Sequence, residues 1–552
     1  MKTQSIRSLR FLSTLVLLPL LVIALTLVIF SGLDRDPVAP IAGEALPNQA
    51  AERIASVDAA FERAWRAGGV SPTEEADELT LVRRLSLALT GAAPSLEEIR
   101  RLDTLPENAD PVQSWLTHLF EDPRYHHYFA ERLTRAFVGV EPGPFLVYRR
   151  RRLVNWIADQ LAANRPYDSM VRHLVASEGV WTTHPEANFI TAAVIEDGDK
   201  RGPDEIKLAA RTSRAFLGIS LDCMQCHDDK FGDYWTQEHF HELAAFYGQS
   251  EMSLTGVRED PSEEYEIAFL GEKKPRAVDA EVPFQSELLP ASGNRRARLA
   301  HWITHEENRA FARAAVNRVW ALVFGRPLHD PVDEIPLDGP FPPGMEEITD
   351  FFIQENHDYQ ALLRLIAASA PFRRESRSAD PSAPVTQKQE RAWAAFPVTP
   401  LRPEQVAGSI IQAASLQALD GEVHILTKLR RFGETNNFVE RYGDQGENEF
   451  TEEAGTIPQR LLLMNGDLVA ERTSPNLVAN SVGRLAAYAP SESSALEAAF
   501  LATLTRLPSH EEKQYFLPRL EDRSKEEKEE KEDALEDIFW ALINATEFSW
   551  NR

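Results

Sequence analysis

The chain has 552 residues, of which 43% are hydrophobic and 26% charged, so it is long enough for two or three globular units and has the composition of a folded protein. Its 85 acidic and 59 basic residues give a formal net charge of −26. Nucleic-acid binding requires clustered Lys and Arg, so this balance argues against a nucleic-acid partner. The acidity favours solubility and basic partners but indicates no particular function.

The N-terminus has the pattern of a membrane anchor. Lys2, Arg7 and Arg10 precede an uncharged run from Phe11 to Leu33. This run is long enough to cross a bilayer as a helix and exceeds the roughly 7 to 15 residues of a signal-peptide core, although a cleaved signal peptide is the alternative. The preceding basic residues place the remainder outside the cytoplasm by the positive-inside rule. We therefore predict an inner-membrane anchor with the body in the periplasm or another extracytoplasmic space.

Helical patterns dominate the chain from residue 51 to residue 250. Residues 37–50, rich in Pro and Ala, predict a stalk. Helical periodicity follows in 54–65 and 79–89, and Ser95 with Glu98 has the spacing of a capping box. Further helical patterns cover 112–120, 125–137, 153–163 and 167–177.

The second half begins with a change of pattern. Short alternating runs in 251–294, interrupted by Pro and Gly, predict a connector with a few strands or irregular structure. Helical periodicity returns at residue 295, while the polar, Gly-bearing stretch 431–450 predicts a surface loop.

We therefore predict a mainly α fold, in which two helical domains are joined by a short segment with some β or irregular structure and an N-terminal transmembrane helix precedes them. The predicted boundaries are an anchor at 1–36, a stalk at 37–50, helical domains at 51–250 and 295–552, and a connector at 251–294.

The stretch "LDCMQCHDDKF" holds the only two cysteines of the chain. C-x-x-C-H is typical of c-type haem attachment, in which Cys223 and Cys226 form thioethers and His227 binds the iron. A Cys223–Cys226 disulfide is one alternative. A zinc or iron site that adds Asp229, His239 or His241 is another, although no second cysteine pair exists.

The sequence also offers candidate residues for the walls of a haem pocket, for the sixth iron ligand and for contacts to the haem propionates. Aromatic residues follow the motif closely and could wall a flat cofactor or form ordinary core, namely Phe231, Tyr234, Trp235, Phe240, Phe246 and Tyr247. Thr236 is placed to cap the helix that carries several of them. Met252, His239 and His241 are candidates for the sixth iron ligand, and an open sixth position is equally allowed. The four consecutive arginines at 149–152 could contact haem propionates or begin a solvated helix.

The order of motifs resembles a family of large exported planctomycete proteins that join a cytochrome-C-like planctomycete domain to a planctomycete-specific C-terminal domain. "LVRRLSLALTGAAPSLEEI" is similar to the family pattern L-x-R-R-x-x-L-D-L-T-G-x-x-P-S/T-x-E-E, and "FLGISLDCMQCHDDKFGDYWTQEHFHELAAFYG" to F-L-G-x-x-x-x-C-A-x-C-H-D-H-K-F-D-P. "AVNRVWALVFGRPLHDPVDEI" resembles V-N-R-x-W-x-x-x-F-G-x-G-L-V-x-x-x-D-D-F, and "IPQRLLLMNGDLV" and "ALINATEFSW" resemble the endings of the second domain.

Three departures from the family patterns limit the comparison. Asp229 stands where the family has the last histidine of C-H-D-H, and Pro327 replaces the second Gly of F-G-x-G. Asp-Asp-Phe becomes Asp333, Glu334 and Ile335. The resemblance implies an exported haem-type protein without naming a substrate.

The leading hypothesis is a membrane-anchored, extracytoplasmic protein with covalent haem c that transfers electrons to a redox partner protein or carries out redox chemistry. One alternative is a cell-surface binding or scaffolding protein with a non-haem C-x-x-C-H, for which polysaccharide is a candidate ligand. Another is a haem oxidoreductase acting on a small or sugar substrate. The sequence leaves enzymatic activity and oligomeric state open.

Overall fold

Helices make up most of the computed structural model, which describes residues 41–552 apart from 44–47, 142, 145, 198–199, 231–233, 254, 381, 417–424, 444–445, 447–449, 451–455, 476–479 and 525–527. The predicted anchor, Phe11–Leu33, lies outside the described residues. Within the described part of the chain, no helix has both the length and the apolarity to cross a bilayer. The mainly helical prediction is confirmed.

The first half contains ten helices and two hairpins among the described residues. The helices are α1 Asn48–Gly68, α2 Glu78–Thr90, α3 Leu96–Leu102, α4 Pro111–Glu121, α5 Pro123–Val138, α6 Arg150–Ala162, α7 Tyr167–Ala176, α8 Asn188–Thr191, α9 Glu205–Thr212 and α10 Gln237–Ala245. The antiparallel hairpins pair β1 Val194–Asp197 with β2 Lys200–Pro203 and β3 Ser250–Ser253 with β4 Gly256–Glu259.

The second half continues with shorter strands and the remaining helices. The antiparallel pairs are β5 Glu266–Ile267 with β6 Arg276–Ala277 and β7 Thr399–Pro400 with β8 Trp550–Asn551. The helices are α11 Arg295–Ile303, α12 Arg309–Phe324, α13 Met345–Gln354, α14 Tyr359–Ala368, α15 Ala370–Arg373, α16 Gln387–Arg391, α17 Pro403–Ala413, α18 Ile425–Tyr442, α19 Ile457–Asn465, α20 Asp467–Thr473, α21 Ser481–Tyr488, α22 Glu492–Leu504, α23 His510–Ser524 and α24 Lys528–Ile543.

Helix ends follow the local sequence rules. The Ser95 hydroxyl accepts a hydrogen bond from the Glu98 N–H, and the Glu98 carboxylate accepts one from the Ser95 N–H, so the predicted capping box is confirmed. Thr236 caps α10 as predicted, because its hydroxyl accepts a hydrogen bond from the His239 N–H at 3.2 Å.

The two halves of the chain share one core. From Ala42 onward the chain forms one compact unit. Phe61 of α1 stacks on Trp320 of α12 with ring centroids 5.8 Å apart, and Tyr167 of α7 stacks on Phe311 at 5.0 Å. Buried aromatic rings of this kind contribute much of the hydrophobic stabilisation of a core. The segments predicted as separate domains are therefore packed against each other.

Helix α17 meets the end of α2 with almost no space between their backbones. A β-carbon at Gly408 would lie 2.2 Å from the carbonyl oxygen of Gly91. Only glycine permits this approach without movement of one of the two helices.

Two expectations are corrected by the fold. The polar, Gly-bearing composition of 431–450 predicts a surface loop, but the first part of this stretch belongs to α18. There Phe438 is buried and stacks with Tyr442 at 5.1 Å, so packing at helical spacing outweighs the polar composition. The predicted stalk lies mostly outside the described residues, and its last residues, Asn48 to Ala50, already begin α1.

Candidate functional site

The C-x-x-C-H segment forms a short turn at the surface. A left-handed Gly218 ends the wide helical turn Ser213–Leu217, and a 3-10 turn follows at Asp222–Gln225. Cys223 and Cys226 are both exposed and are not joined by a disulfide. The two thiols are therefore open to reaction from solvent.

The start of this turn is fixed against the second half of the chain. The Ile335 N–H donates to the Gly218 carbonyl oxygen at 2.8 Å. Gly218 has φ of +66°, and a β-carbon there would lie 2.9 Å from Ile335 Cδ1 and 3.2 Å from Ala314 Cβ. Glycine is therefore required both by the backbone conformation and by the close packing.

The buried His241 supports the turn from the core side through a hydrogen bond to its backbone. The Gln225 carbonyl oxygen accepts hydrogen bonds from His241 Nε2 at 3.1 Å and from Gln237 Nε2 at 3.2 Å. Because His241 Nε2 carries the hydrogen, its Nδ1 accepts one from the Tyr265 hydroxyl at 2.8 Å. Burial lowers the pKa of His241, so the neutral ring is favoured. Both ring nitrogens are engaged, which argues against His241 as an iron ligand.

His227 is oriented by its own neighbour. Its Nδ1 lies 2.7 Å from the Asp228 carbonyl oxygen, so Nδ1 carries the hydrogen and donates it. This leaves a lone pair on Nε2, and metal-binding histidines commonly have this arrangement. The described residues provide no hydrogen-bond donor to that nitrogen.

Two hydrogen bonds join the residues directly after the motif to those that lead into α10. The Gln237 N–H donates to Asp228 Oδ1 at 2.8 Å, and the Asp229 N–H donates to the Trp235 carbonyl oxygen at 2.9 Å. Tyr234 and Trp235 pack edge to face at 4.7 Å, and Tyr234 is about half exposed. These two rings stay near the surface beside the motif.

The other predicted aromatic residues do not line the motif. Phe240, Phe246 and Tyr247 are fully buried in the core, and the Tyr247 hydroxyl is 2.6 Å from Thr212 Oγ1. Phe231 lies outside the described residues. The core interpretation is therefore correct for the helical aromatic residues, because α10 packs this face against α9.

The candidate sixth ligands are placed differently from one another. His239 is half-buried beside Trp235 and Tyr234, and its Nδ1 has no hydrogen-bond partner within the described chain. Met252 lies half-buried in β3. In the four-arginine run, Arg150 donates to the Gly139 carbonyl oxygen and to Glu131, so it has a structural role at the start of α6.

A zinc or iron site at the motif is not assembled among the described residues. The acidic and histidine cluster with ligand-like spacing is instead Glu98, His118 and Asp122. Burial acts to raise the pKa of Glu98, but the adjacent Arg124 and His118 hold it well below its usual range. Arg124 pairs with both Glu98 and Asp122, so this cluster is an ion-pair network.

Sequence reasoning missed the residues that hold the motif in place. Gln237, Tyr265 and Asp228 act through hydrogen bonds to backbone groups or to His241. Asp228 and Gln237 were detectable, because a polar residue next to a motif and one at a helix start commonly bond to the backbone. Tyr265 follows the turn by more than 30 residues, and nothing in its neighbourhood indicates the contact.

Comparison with known families supports a two-part organisation. Residues 56–252 match PSCyt2, described as a protein of unknown function (DUF1549), and residues 295–437 match PSD1, described as a protein of unknown function (DUF1553). No curated protein and no solved structure matches the chain. The predicted order of the two segments is confirmed.

Proposed function

The chain belongs to the family that joins a PSCyt2 segment to a PSD1 segment, and we propose that it is a c-type haem protein, anchored in the membrane, that acts in electron transfer or redox chemistry outside the cytoplasm. The observation that carries this proposal is the C-x-x-C-H turn, with two exposed thiols and a histidine whose Nε2 is left as an acceptor.

The residues of the turn suit covalent attachment. Each thiol of Cys223 and Cys226 would add across a vinyl group, so that a carbon–sulfur bond forms and the thiol hydrogen passes to the neighbouring vinyl carbon. His227 would supply Nε2 to the iron, while its Nδ1–H donates to the Asp228 carbonyl oxygen and fixes the ring. When bound, the haem supplies a one-electron redox centre.

The position of the turn suits exchange with a partner protein. Cys223 and Cys226 are exposed, which supports an attachment point that a redox partner could approach. The net charge of −26 favours a basic partner surface and an association rate that falls with ionic strength. His241, Gln237 and Asp228 support the turn through hydrogen bonds, which favours electron transfer with little rearrangement.

The anchor and the location are part of the same proposal and rest on the sequence of Phe11–Leu33 and its basic flank. Full-length protein should remain in the membrane fraction, and a chain without residues 1–36 should leave it. Recovery of the full-length protein in the soluble fraction would contradict the anchor without affecting the haem proposal.

The haem proposal is tested by expressing the full chain with a haem-maturation system. We expect a Soret band that remains with the protein after acid–acetone extraction. His227→Ala should lower haem retention or change the spin state, whereas His184→Ala, at an exposed histidine elsewhere, should not. A colourless protein with an intact Cys223–Cys226 disulfide would overturn the proposal.

A further inference from the structure

A cleft lined by four arginines lies where the two family segments meet. Arg135, Arg211, Arg214 and Arg318, here called the arginine cleft, surround a solvent-open space of about 60 Å³ together with Asp333. Three of these arginines belong to the PSCyt2 segment, and Arg318 belongs to the PSD1 segment. Neither segment alone contains the whole set.

The walls of the cleft are fixed by contacts on several sides. Arg135 pairs with Glu404 at 3.3 Å, and Arg214 Nε lies 3.3 Å from a carboxylate oxygen of Asp222, which directly precedes Cys223. The Asn317 side chain donates to the carbonyl oxygens of His329 and Val332 and accepts from the His329 N–H. This holds the loop that ends at Asp333.

Arg318 is the residue that indicates a ligand. It is only 8% exposed, yet its Nε has no hydrogen-bond acceptor among the described residues. A buried N–H without an acceptor loses its hydration without compensation, so such groups are normally hydrogen-bonded. Arginine presents several N–H donors in one plane and is well suited to an oxyanion.

The size of the cleft limits what could fill it. A space of about 60 Å³ holds a few water molecules, since one water needs roughly 10 to 15 Å³ by this measure. We propose that the arginine cleft binds one small oxyanionic group, a sulfate, phosphate or carboxylate, and that Arg318 donates hydrogen bonds to it. Asp333 faces the same space and weakens binding by charge repulsion.

The test uses the full-length chain carrying Cys223→Ser and Cys226→Ser, so that no covalent haem can supply a propionate. Sodium sulfate, sodium phosphate and sodium acetate are titrated by calorimetry at constant ionic strength, with sodium chloride as the balance salt. We expect saturable binding at one site. Arg318→Gln should weaken it about tenfold or more, and Arg318→Lys should weaken it less. Arg66→Gln, at an exposed arginine of α1, should leave it unchanged.

Asp333→Asn provides an independent test with the opposite sign, because removal of the carboxylate should tighten binding about threefold. This variant keeps the proposal testable if Arg318→Gln does not fold. Binding that follows ionic strength alone, or that is the same in the parent, Arg318→Gln and Asp333→Asn, overturns the proposal.

A comparison with haem-loaded protein identifies the source of the oxyanion. If the loaded protein no longer binds the added anion, a haem propionate occupies the arginine cleft. If both forms bind equally, the oxyanion comes from a separate molecule. Either result supports the oxyanion site. This comparison requires haem-loaded protein, whereas the titration of the chain with Cys223→Ser and Cys226→Ser tests the oxyanion site whether or not the haem proposal holds.

Discussion

The C-x-x-C-H turn and the arginine cleft are neighbours through the Arg214–Asp222 contact, but they are built in opposite ways. The turn takes its reactive groups from five consecutive residues, Cys223 to His227, at the surface. The cleft gathers side chains from α5, α9, the turn after α9 and α12, at the junction of the two segments. A contiguous site can be recognised in a sequence, whereas a dispersed site becomes visible only when the chain is folded.

Because the junction of the two segments joins distant parts of the chain, we predict that substitutions there destabilise the whole fold. Substitutions of the residues that support the C-x-x-C-H turn should affect only the turn. Gly218→Val should have the largest effect. A β-branched side chain at a positive φ, placed against Ile335 and Ala314, should lower the free energy of unfolding by about 3 kcal/mol or more. Urea unfolding monitored by tryptophan fluorescence measures this.

Gly69→Val is the matched control for Gly218→Val. Gly69 also has a positive φ, but a β-carbon at this position would meet nothing within 4 Å, so only the backbone cost of about 2 kcal/mol is expected. Equal losses in the two variants would show that close packing at the junction contributes nothing.

The second-largest effect is expected at low pH, where the junction around His357 should lose stability. His357 is buried against Phe311 and Phe352, and its carbonyl oxygen accepts the Tyr167 N–H. Burial, with a smaller contribution from Arg172, lowers the pKa of His357 from 6.5 to about 4. The unfolded chain takes up this proton below pH 6.5, whereas the folded chain takes it up only near pH 4. The free energy of unfolding should therefore fall by about 3 kcal/mol as the pH falls across this range.

Urea unfolding of wild type and His357→Asn at pH 7 and pH 4.5 checks the assignment. Asparagine tolerates the positive φ of this residue and does not titrate, so the variant should lose less stability on acidification. The exposed His301→Asn should behave like wild type. An identical pH dependence in His357→Asn would rule out His357 as the cause.

Substitution of His241, which supports the C-x-x-C-H turn, should have a smaller effect that is confined to the turn. His241→Phe leaves the Tyr265 hydroxyl without its acceptor and removes one donor to the Gln225 carbonyl oxygen, which should cost about 2 kcal/mol. Hydrogen exchange should accelerate at Cys223 to His227. His239→Phe, two residues away with no ring hydrogen bond in the described chain, should change both quantities little. Unchanged exchange in His241→Phe would mean that the turn is held by other contacts.

The smallest effect is expected at the cap of α10. Thr236→Ala removes the hydroxyl that accepts the His239 N–H and should cost about 1 kcal/mol. Ser95→Ala removes a similar cap from α3 at a similar cost. Only Thr236→Ala should alter hydrogen exchange in the C-x-x-C-H turn. An equal change in the turn with Ser95→Ala would show that the effect is not local to α10.

Much of the fold could be predicted from sequence, because most helices here carry regular apolar spacing and recognisable caps. Ser95 and Thr236 are examples in which a single polar residue fixed the start of a helix. The failure at α18 has a physical reason: Phe438 and Tyr442 pack at a spacing of one turn, but polar and glycine residues around them hide the pattern. Tertiary contacts decide such a segment.

The candidate site also contains residues that the sequence identifies and residues whose role only the folded structure reveals. Cys223, Cys226 and His227 were identifiable because their chemistry depends on spacing along the chain. The supporting roles of His241 and Tyr265 and the place of Arg318 in the cleft depend on contacts through space. The sequence marks His241 only as a candidate ligand and Arg318 only as part of a V-N-R motif, and the neighbourhood of Tyr265 carries no signal. The four consecutive arginines at 149–152 have the sequence pattern of an anion site, whereas the structure gathers four dispersed arginines instead.

The contact between Gly408 and the carbonyl of Gly91 carries an evolutionary consequence. A side chain at Gly408 would collide with the Gly91 carbonyl oxygen, whereas Gly91 itself has φ of +70° and would place a β-carbon 2.4 Å from the Tyr128 ring, so neither position can vary while the two helices stay in place. The first residue lies in the segment matched by PSD1 and the second in the segment matched by PSCyt2. Across relatives, glycine should therefore be retained at both positions wherever the two segments occur together.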